Sequence, residues 1–216
     1  MIAIFDWDGT LCDSLDHIVE AMQAAADERG LAIPEPAAVR DIVGLAMPEA
    51  ALRLFPEAEP GDHRGLIEAY SRQYVAATTG PARLYEGARD MLEALRADGF
   101  ELAIATGKSR RGLARVLAGL AMDDFFEATR CADETRSKPD PLMLSELLAE
   151  RGKRHTEAVM IGDSEYDLDM AARLEMPRIG VSFGVHGRDR LASFGPAHII
   201  DHLSELPPLL KASSTG

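Results

Sequence analysis

The sequence predicts an α/β fold in which a parallel sheet lies between two layers of helices, with a small all-helical domain inserted after the first strand. Short apolar runs of strand length recur along the chain, and helical patterns separate them after residue 101. Such alternation is typical of parallel sheets covered on both faces. The gap between the first two runs, about residues 6–100, is far longer than one crossover needs.

Six apolar runs are expected to form the sheet. They cover residues 2–5, 101–105, 128–131, 158–161, 178–181 and 198–200. Helical patterns of apolar residues fall between them, at residues 87–98, 110–117, 141–149 and 168–174. The sheet domain is therefore expected to comprise residues 1–13 and 83–210, followed by a flexible tail at 211–216.

Residues 14–82 are predicted to form the inserted helical domain. Two stripes of apolar residues recur at helical spacing, one beginning at Leu15 and one at Leu66, and proline and glycine separate the pieces. The chain would cross between the two units at residues 11–14 and 80–86, so these segments are the expected hinges.

Composition excludes several classes of function. The 216 residues include 23 Lys and Arg against 36 Asp and Glu, which gives a net charge of −13. Such a charge disfavours binding to nucleic acid or to an anionic membrane. No apolar run is long enough to span a bilayer, and the first residues lack a basic leader. With only two distant cysteines, a cytoplasmic location is expected.

Paired acidic residues follow two of the predicted strands. Asp6 and Asp8 come directly after the first, and Asp163 and Asp167 follow the run at 158–161. Helix capping, with Asp13 as one N-cap, explains one or two of these acids but not a pair at both strand ends. If the strands are neighbours, four carboxylates converge and require a counter-charge, for which Mg²⁺ is the expected cation.

Two further strand ends carry groups suited to an anion. Thr106 and Gly107 end the second strand just before a helix, where a hydroxyl and free backbone N–H groups can bind phosphate. Lys138 lies in the loop before another helix and can supply a point charge. Each feature alone is equally consistent with an ordinary cap or a solvated lysine.

Together these residues resemble the four motifs of the haloacid dehalogenase superfamily. The motifs occur here in the same order, as Asp6-x-Asp8-Gly9-Thr10, Thr106, Lys138-Pro139 and Gly162-Asp163-x-x-x-Asp167. The segments Tyr85-Glu86-Gly87-Ala88 and Phe183-Gly184-Val185 are similar to the phosphoglycolate phosphatase-like branch. The resemblance implies a three-layer, Rossmann-like core and identifies the helical insert as a small cap domain.

The resemblance also implies a role for each motif residue. Asp6 would be the nucleophile that forms an aspartyl-phosphate, and Asp8 the general acid and base. Mg²⁺ would be held by Asp6, the main-chain carbonyl of Asp8 and Asp163, with Asp167 just outside its ligands or paired with Lys138. The groups expected to bind phosphate are Thr106, Lys138 and the backbone N–H groups of Trp7, Gly9 and Gly107.

These roles predict a Mg²⁺-dependent phosphatase acting on a small phosphorylated metabolite, with phosphoglycolate as the named candidate. Asp8 favours phosphate esters over haloacids, because a halide leaving group needs no proton. The alternatives are a sugar phosphomutase of the same superfamily, a pyrophosphatase or nucleotidase, and a phosphate-binding protein without activity. The protein is expected to be a monomer or homodimer. Gly107 departs from the family pattern, which often has Asn there, and Trp7 stands where a smaller residue is usual.

Overall fold

A computed structural model describes residues 1–77 and 82–214. Its centre is a six-stranded sheet in which every pairing of neighbouring strands is parallel. The strands are β1 (Ile2–Phe5), β2 (Glu101–Thr106), β3 (Ala128–Cys131), β4 (Ala158–Gly162), β5 (Arg178–Val181) and β6 (His198–Ile200). All six predicted strands are present, and the predicted α/β class is confirmed.

Ten α-helices surround or extend this sheet among the described residues. They are α1 (Leu15–Glu28), α2 (Pro36–Asp41), α3 (Met47–Leu54), α4 (Pro60–Ala77), α5 (Ala88–Ala97), α6 (Arg110–Gly119), α7 (Leu142–Arg151), α8 (Glu165–Ala172), α9 (Arg188–Ala192) and α10 (Leu206–Ser214). Short 3₁₀ helices cover His155–Glu157 and Leu203–Glu205.

Alternate residues of β1 enter two different cores. Ala3 and Phe5 pack into a cluster with the buried residues of α5 and α6, whereas Ile2 and Ile4 pack into a cluster with those of α7. Side chains of a strand point to opposite faces in turn, so a strand with helices on both sides is apolar throughout. This explains why β1 reads as a continuous apolar run, and it confirms the three-layer arrangement.

The strand order is β3-β2-β1-β4-β5-β6. From β1 the chain progresses to one side through β2 and β3, then returns to the other side of β1 to form β4. The connections that leave β1 and β4 therefore diverge, which opens a crevice at the carboxyl ends of these strands. The strands that precede the two acidic motifs are thus neighbours, as the convergence of their carboxylates requires.

The cap consists of α1–α4 and has an apolar core of its own. Buried side chains of the four helices form one cluster, which includes Met22, Val39, Ala51 and Leu66. The two chain segments that connect the cap to the sheet are hydrogen bonded to each other. The Asp13 N–H donates to the Arg83 carbonyl at 2.8 Å, and the Tyr85 N–H donates to the Leu11 carbonyl at 2.9 Å.

The predicted cap boundaries at residues 14 and 82 remain predictions. The predicted hinge at 80–86 lies partly outside the described residues, since residues 80 and 81 belong to the gap. At the other end of the chain α10 continues to Ser214, into the segment predicted as a flexible tail.

Two helix starts differ from the sequence prediction. Helix α8 begins at Glu165 rather than at residue 168, because the Ser164 side chain accepts a hydrogen bond from the Asp167 N–H and caps the helix earlier. Helix α1 begins at Leu15, and Ser14 rather than Asp13 occupies its N-cap position. The Ser14 side chain makes no capping bond there; its hydroxyl donates to Asp8 at 2.5 Å.

Cap and core lie close together at Gly107. A Cβ atom at this position would lie 2.5 Å from the Gly44 carbonyl oxygen and 2.9 Å from the Leu45 carbonyl oxygen. Both atoms belong to the backbone between α2 and α3, which cannot turn aside as a side chain can. Glycine at 107, in place of the Asn often found in the family, therefore leaves room for the cap to rest on the core.

Substituting Gly107→Ala should lift the cap from the core. The added methyl group meets backbone, so we expect a loss of about 1–3 kcal/mol of stability, as is usual for overpacking. Amide hydrogen exchange of residues 42–46 should become faster. Gly119→Ala is the matched control, because a Cβ there meets nothing within 4 Å. Equal exchange in the two variants would contradict this account.

Candidate active site

Three carboxylates and one lysine meet below the crevice. Asp6, Asp163 and Asp167 each offer an oxygen within 4.8 Å of the others. Lys138 Nζ donates to Asp6 Oδ1 at 2.6 Å and to Asp167 Oδ1 at 2.7 Å. All four residues are buried. The structure therefore brings together four predicted site residues from the ends of β1 and β4 and from the loop before α7.

Asp163 is held by donors from two other loops. Its Oδ1 accepts from the Thr10 hydroxyl at 2.9 Å, and its Oδ2 accepts from the Val185 N–H at 2.8 Å. Gly9 and Gly184 make this approach possible, because a Cβ at either would lie 2.1 Å from an atom of Asp163. Gly9 also has φ = +87°, which favours glycine.

Asp167 is positioned by its own helix cap. The Ser164 N–H and hydroxyl donate to Asp167 Oδ2 at 3.1 and 2.6 Å. Because Lys138 occupies Oδ1, both oxygens of this carboxylate already have partners. Asp167 thus contacts Lys138 directly, which was one of its two predicted positions.

Burial dominates the protonation of this cluster. It raises the pKa of Asp6 well above the usual carboxyl value, an effect that Lys138 opposes and that Asp167 and Asp163 reinforce. Burial and then Asp167 raise the pKa of Asp163 to about 7, against the hydrogen bonds from Val185 and Thr10. Burial alone would lower the pKa of Lys138, but Asp167 and Asp6 outweigh it and the pKa lies above its ordinary value. Three carboxyl groups share one ammonium group, so the cluster has a net negative charge when all three are ionised.

The side chain of Asp8 lies outside the three-acid group. Its Oδ1 accepts from the Ser14 hydroxyl at 2.5 Å and pairs with Lys108 Nζ at 2.9 Å. Four carboxylates were expected to converge. Three of them do, and the Asp8 side chain pairs separately with Ser14 and Lys108. Lys108 also lies 4.8 Å from the centre of the Tyr74 ring in α4. Asp8 is thus held between the core and the cap.

The residues predicted to bind phosphate lie in different surroundings. Thr106 is buried at the end of β2, and its Oγ1 accepts from the Lys108 N–H at 3.2 Å. The Gly9 N–H, predicted to face phosphate, donates instead to the Cys12 carbonyl at 2.9 Å within the loop, so we correct its role to leaving space for Asp163. The Trp7 side chain is buried against Phe126, with ring centres 6.4 Å apart. Gly107 lines the cavity beneath the cap.

Sequence reasoning missed the partners of Asp8 and Asp163. Lys108 follows Gly107 directly, and a lysine next to a predicted anion-binding turn was a usable signal. Ser14 and Val185 gave no such signal, because a hydroxyl and a backbone N–H gain this role only through the fold. His186 is buried, and its Nδ1 accepts from the N–H of Glu165, the first residue of α8, so it caps that helix.

Comparison with known proteins decides the family. The sequence pattern of the haloacid dehalogenase-like hydrolases matches residues 3–181 of this chain. The chain belongs to the haloacid dehalogenase-like hydrolase family. The "probable phosphatase IndB" of Dickeya dadantii is 31% identical over 99% of this chain and 96% of its own length. This haloacid dehalogenase-like chain is therefore a hydrolase, and the predicted family is confirmed.

Other relatives belong to the same group of hydrolases. A phosphoglycolate phosphatase of Rhodospirillum rubrum is 29% identical over 94% of this chain and 88% of its own. A pyrophosphatase PpaX of Listeria monocytogenes is 26% identical over 96% of this chain and 95% of its own. The branch resembling phosphoglycolate phosphatases, predicted from the sequence, is confirmed by these matches.

Solved structures confirm the fold and its cap. A predicted phosphoglycolate phosphatase from Haemophilus somnus has a TM-score of 0.87 at 22% identity, covering 98% of this chain and 97% of that one. A Bacteroides vulgatus protein provisionally assigned as a β-phosphoglucomutase has a TM-score of 0.85 at 17% identity, covering 99% and 88%. At such identities the likeness concerns the fold alone. None of the described helices combines the length and apolar character needed to cross a membrane.

The raised pKa of Asp163 predicts how stability depends on pH when divalent cations are chelated. The ordinary pKa of 3.8 applies to the unfolded chain and about 7 to the folded one. The folded state therefore holds a proton more tightly, and the stability this gives is lost as pH rises from about 4 to about 7. The slope is at most about 1.4 kcal/mol per pH unit for one proton.

Urea unfolding in EDTA at pH 5.5, 6.5 and 7.5 tests this dependence against Asp163→Asn, which cannot titrate. His186 is common to both proteins, so its lowered pKa, which acts with the opposite sign, cancels in the difference between them. That difference reports the Asp163 carboxyl group together with its electrostatic effect on Asp6. Parallel pH profiles for the two proteins would show that Asp163 does not take up the proton.

Proposed function

We propose that this chain is a Mg²⁺-dependent phosphatase that hydrolyses a small phosphorylated metabolite through an aspartyl-phosphate on Asp6. The observation that carries the proposal is the buried pair of Asp6 and Lys138 beside Asp163, directly below a cavity that Asp6 and Asp8 both line. The names of the relatives, which include a phosphoglycolate phosphatase and a pyrophosphatase, support phosphate as the group transferred.

The donor set fits a magnesium ion. Mg²⁺ prefers carboxylate and carbonyl oxygens, and the cluster has three buried carboxylates with one ammonium among them. Asp6, Asp163 and the main-chain carbonyl of Asp8 would hold the ion, whereas both oxygens of Asp167 are already engaged. When bound, the ion supplies the missing positive charge and orients the phosphoryl group toward Asp6.

The residues of the chain divide the reaction into two displacements. In the first, an Asp6 oxygen forms a bond to phosphorus, the bond to the leaving oxygen breaks, and Asp8 gives that oxygen a proton. In the second, a water oxygen attacks the same phosphorus, the bond to Asp6 breaks, and Asp8 takes a proton from the water. The sum is one ester and one water converted to an alcohol and phosphate.

The supporting residues fix these groups in place. Lys138, which donates to Asp6, and Thr106, which is buried at the end of β2, would bind the oxygens of the phosphoryl group. Ser14 and Lys108 hold the Asp8 carboxylate at the floor of the cavity. The cap covers this floor through the contact of Gly44 with Gly107 and excludes bulk water from the intermediate.

Asp6→Asn should reduce kcat by about 10³-fold or more, because an amide cannot act as the nucleophile. The control is Asp13→Asn, an exposed acid close by in sequence, which should keep wild-type turnover. The assay measures release of inorganic phosphate from p-nitrophenyl phosphate and from a metabolite panel. A phosphomutase would instead return the phosphate to the sugar without releasing it. Turnover by Asp6→Asn above a tenth of the wild-type rate would exclude the covalent route.

Magnesium binding should depend on Asp163. Titration calorimetry of the chelated protein with Mg²⁺ should show binding that weakens at least about tenfold in Asp163→Asn, since one charged ligand is lost. Asp169→Asn is the control, because this acid lies on α8, the helix that follows Asp163, but pairs with Arg173 at the surface. Unchanged affinity in Asp163→Asn would remove Asp163 from the ligand set.

A further inference from the structure

The cavity above Asp6 and Asp8 has a volume of 790 Å³ and lies between the cap and the core. We propose that it binds the leaving group of the substrate, and that this group is apolar and larger than the two-carbon acid of phosphoglycolate. The substrate class is thus a phosphate monoester of an apolar alcohol. This inference rests on the phosphatase function proposed above and narrows it.

The walls of the cavity are mostly apolar side chains of the cap. Ile18 and Met22 come from α1, Ile67 and Tyr70 from α4, and Val43 and Leu45 from the segment between α2 and α3. Only the floor carries the reacting acids, Asp6 and Asp8. A substrate with its phosphate on the floor therefore projects its leaving group among hydrocarbon and aromatic surfaces, where an apolar group gains free energy by leaving water.

The cations that line the cavity are poorly placed to bind an anionic leaving group. Among the described lining residues Lys108 is the one cation that is not exposed, and Asp8 already pairs with it at 2.9 Å. Arg72, Arg111 and Arg115 also line the cavity and are exposed to solvent. Arg72 pairs with Glu28 at 2.5 Å, and Arg115 lies 5.7 Å from the centre of the Tyr74 ring. A carboxylate or a second phosphate inside the cavity would lie against apolar walls, which is costly for a charge without a partner.

The size of the cavity is compatible with such a leaving group. At about 30 Å³ for each water-sized group, it has room for roughly 25 such groups. That is more than twice what a two-carbon phosphoester contains. Tyr70 and Tyr74 have ring centres 5.8 Å apart on one wall, and both line the cavity. Lys108 already lies over the Tyr74 ring, 4.8 Å from its centre, so the aromatic surface offered to an aliphatic chain or a flat ring is chiefly that of Tyr70.

A series of n-alkyl phosphates tests the inference with the chemistry held constant. The leaving alcohols of ethyl, butyl and hexyl phosphate are almost equally basic, so the intrinsic reactivity barely changes. If the cavity takes the alkyl chain, kcat/KM should rise about two- to fourfold for each added methylene. Hexyl phosphate should also exceed phosphoglycolate and pyrophosphate in kcat/KM.

Failure of the inference and failure of the proposed function give different results. No Mg²⁺-dependent hydrolysis of any ester, p-nitrophenyl phosphate included, would overturn the phosphatase itself. Hydrolysis of p-nitrophenyl phosphate with no gain along the alkyl series would leave the phosphatase standing and overturn the apolar leaving group. Faster hydrolysis of phosphoglycolate or pyrophosphate than of hexyl phosphate would do the same.

A matched pair of variants locates the effect in the cavity. Val75 and Leu52 are exposed aliphatic residues of cap helices, 48% and 52% exposed, so arginine at either should leave the fold intact. Val75 lines the cavity, whereas Leu52 does not. Val75→Arg should reduce the gain in kcat/KM for each added methylene and raise kcat/KM for phosphoglycolate relative to hexyl phosphate. Leu52→Arg should change neither quantity. An unchanged chain-length dependence in Val75→Arg, or an equal change in both variants, would overturn the assignment.

Discussion

The buried Lys138 ammonium joins three segments that are far apart in the chain. Its partners, Asp6 and Asp167, are 132 and 29 residues away in sequence. An uncompensated charge in such a place would be strongly unfavourable, so the lysine requires both acids and the acids require the lysine. The loop before α7, the end of β1 and the start of α8 must therefore adopt their positions together. The parallel pairing of β1 with β4 brings two of these segments side by side.

That arrangement still has more negative than positive charge. With Asp163 included, three carboxylates surround one ammonium, and each is nearly excluded from solvent. The hydrogen bonds from Thr10, Ser164 and Val185 fix the carboxylates without neutralising them. The site thus stores electrostatic strain, which a proton or a cation can relieve. For the proposed Mg²⁺, the carboxylate ligands would be in place before the ion arrives.

Much of this could be inferred from the sequence, because the relevant signals are local. Continuous apolar runs identify buried strands, and the acids directly after two of them mark the carboxyl end of the sheet. The contacts that depend on tertiary structure could not be inferred. The pairing of Lys108 with Asp8 joins the end of β2 to the loop after β1. The close approach of Gly44 to Gly107 depends on how the cap sits on the core. The start of α8 was misplaced because Ser164 competes with the apolar pattern in setting where the helix begins.

The two segments that connect the cap to the sheet are also paired, through their backbones, with the loop that carries Asp8. The backbone of Cys12 forms one isolated β-bridge with Leu84, in the segment that returns from the cap to the sheet, and another with Asp8. A pair of hydrogen-bonded strands resists shear and bends mainly about one axis, unlike two independent tethers. A ribbon of this kind would favour one principal direction of swing for the cap. Because Asp8 is attached to the same ribbon, such a swing would also move the proposed acid–base group, so that opening the lid and placing the proton donor would be one mechanical event.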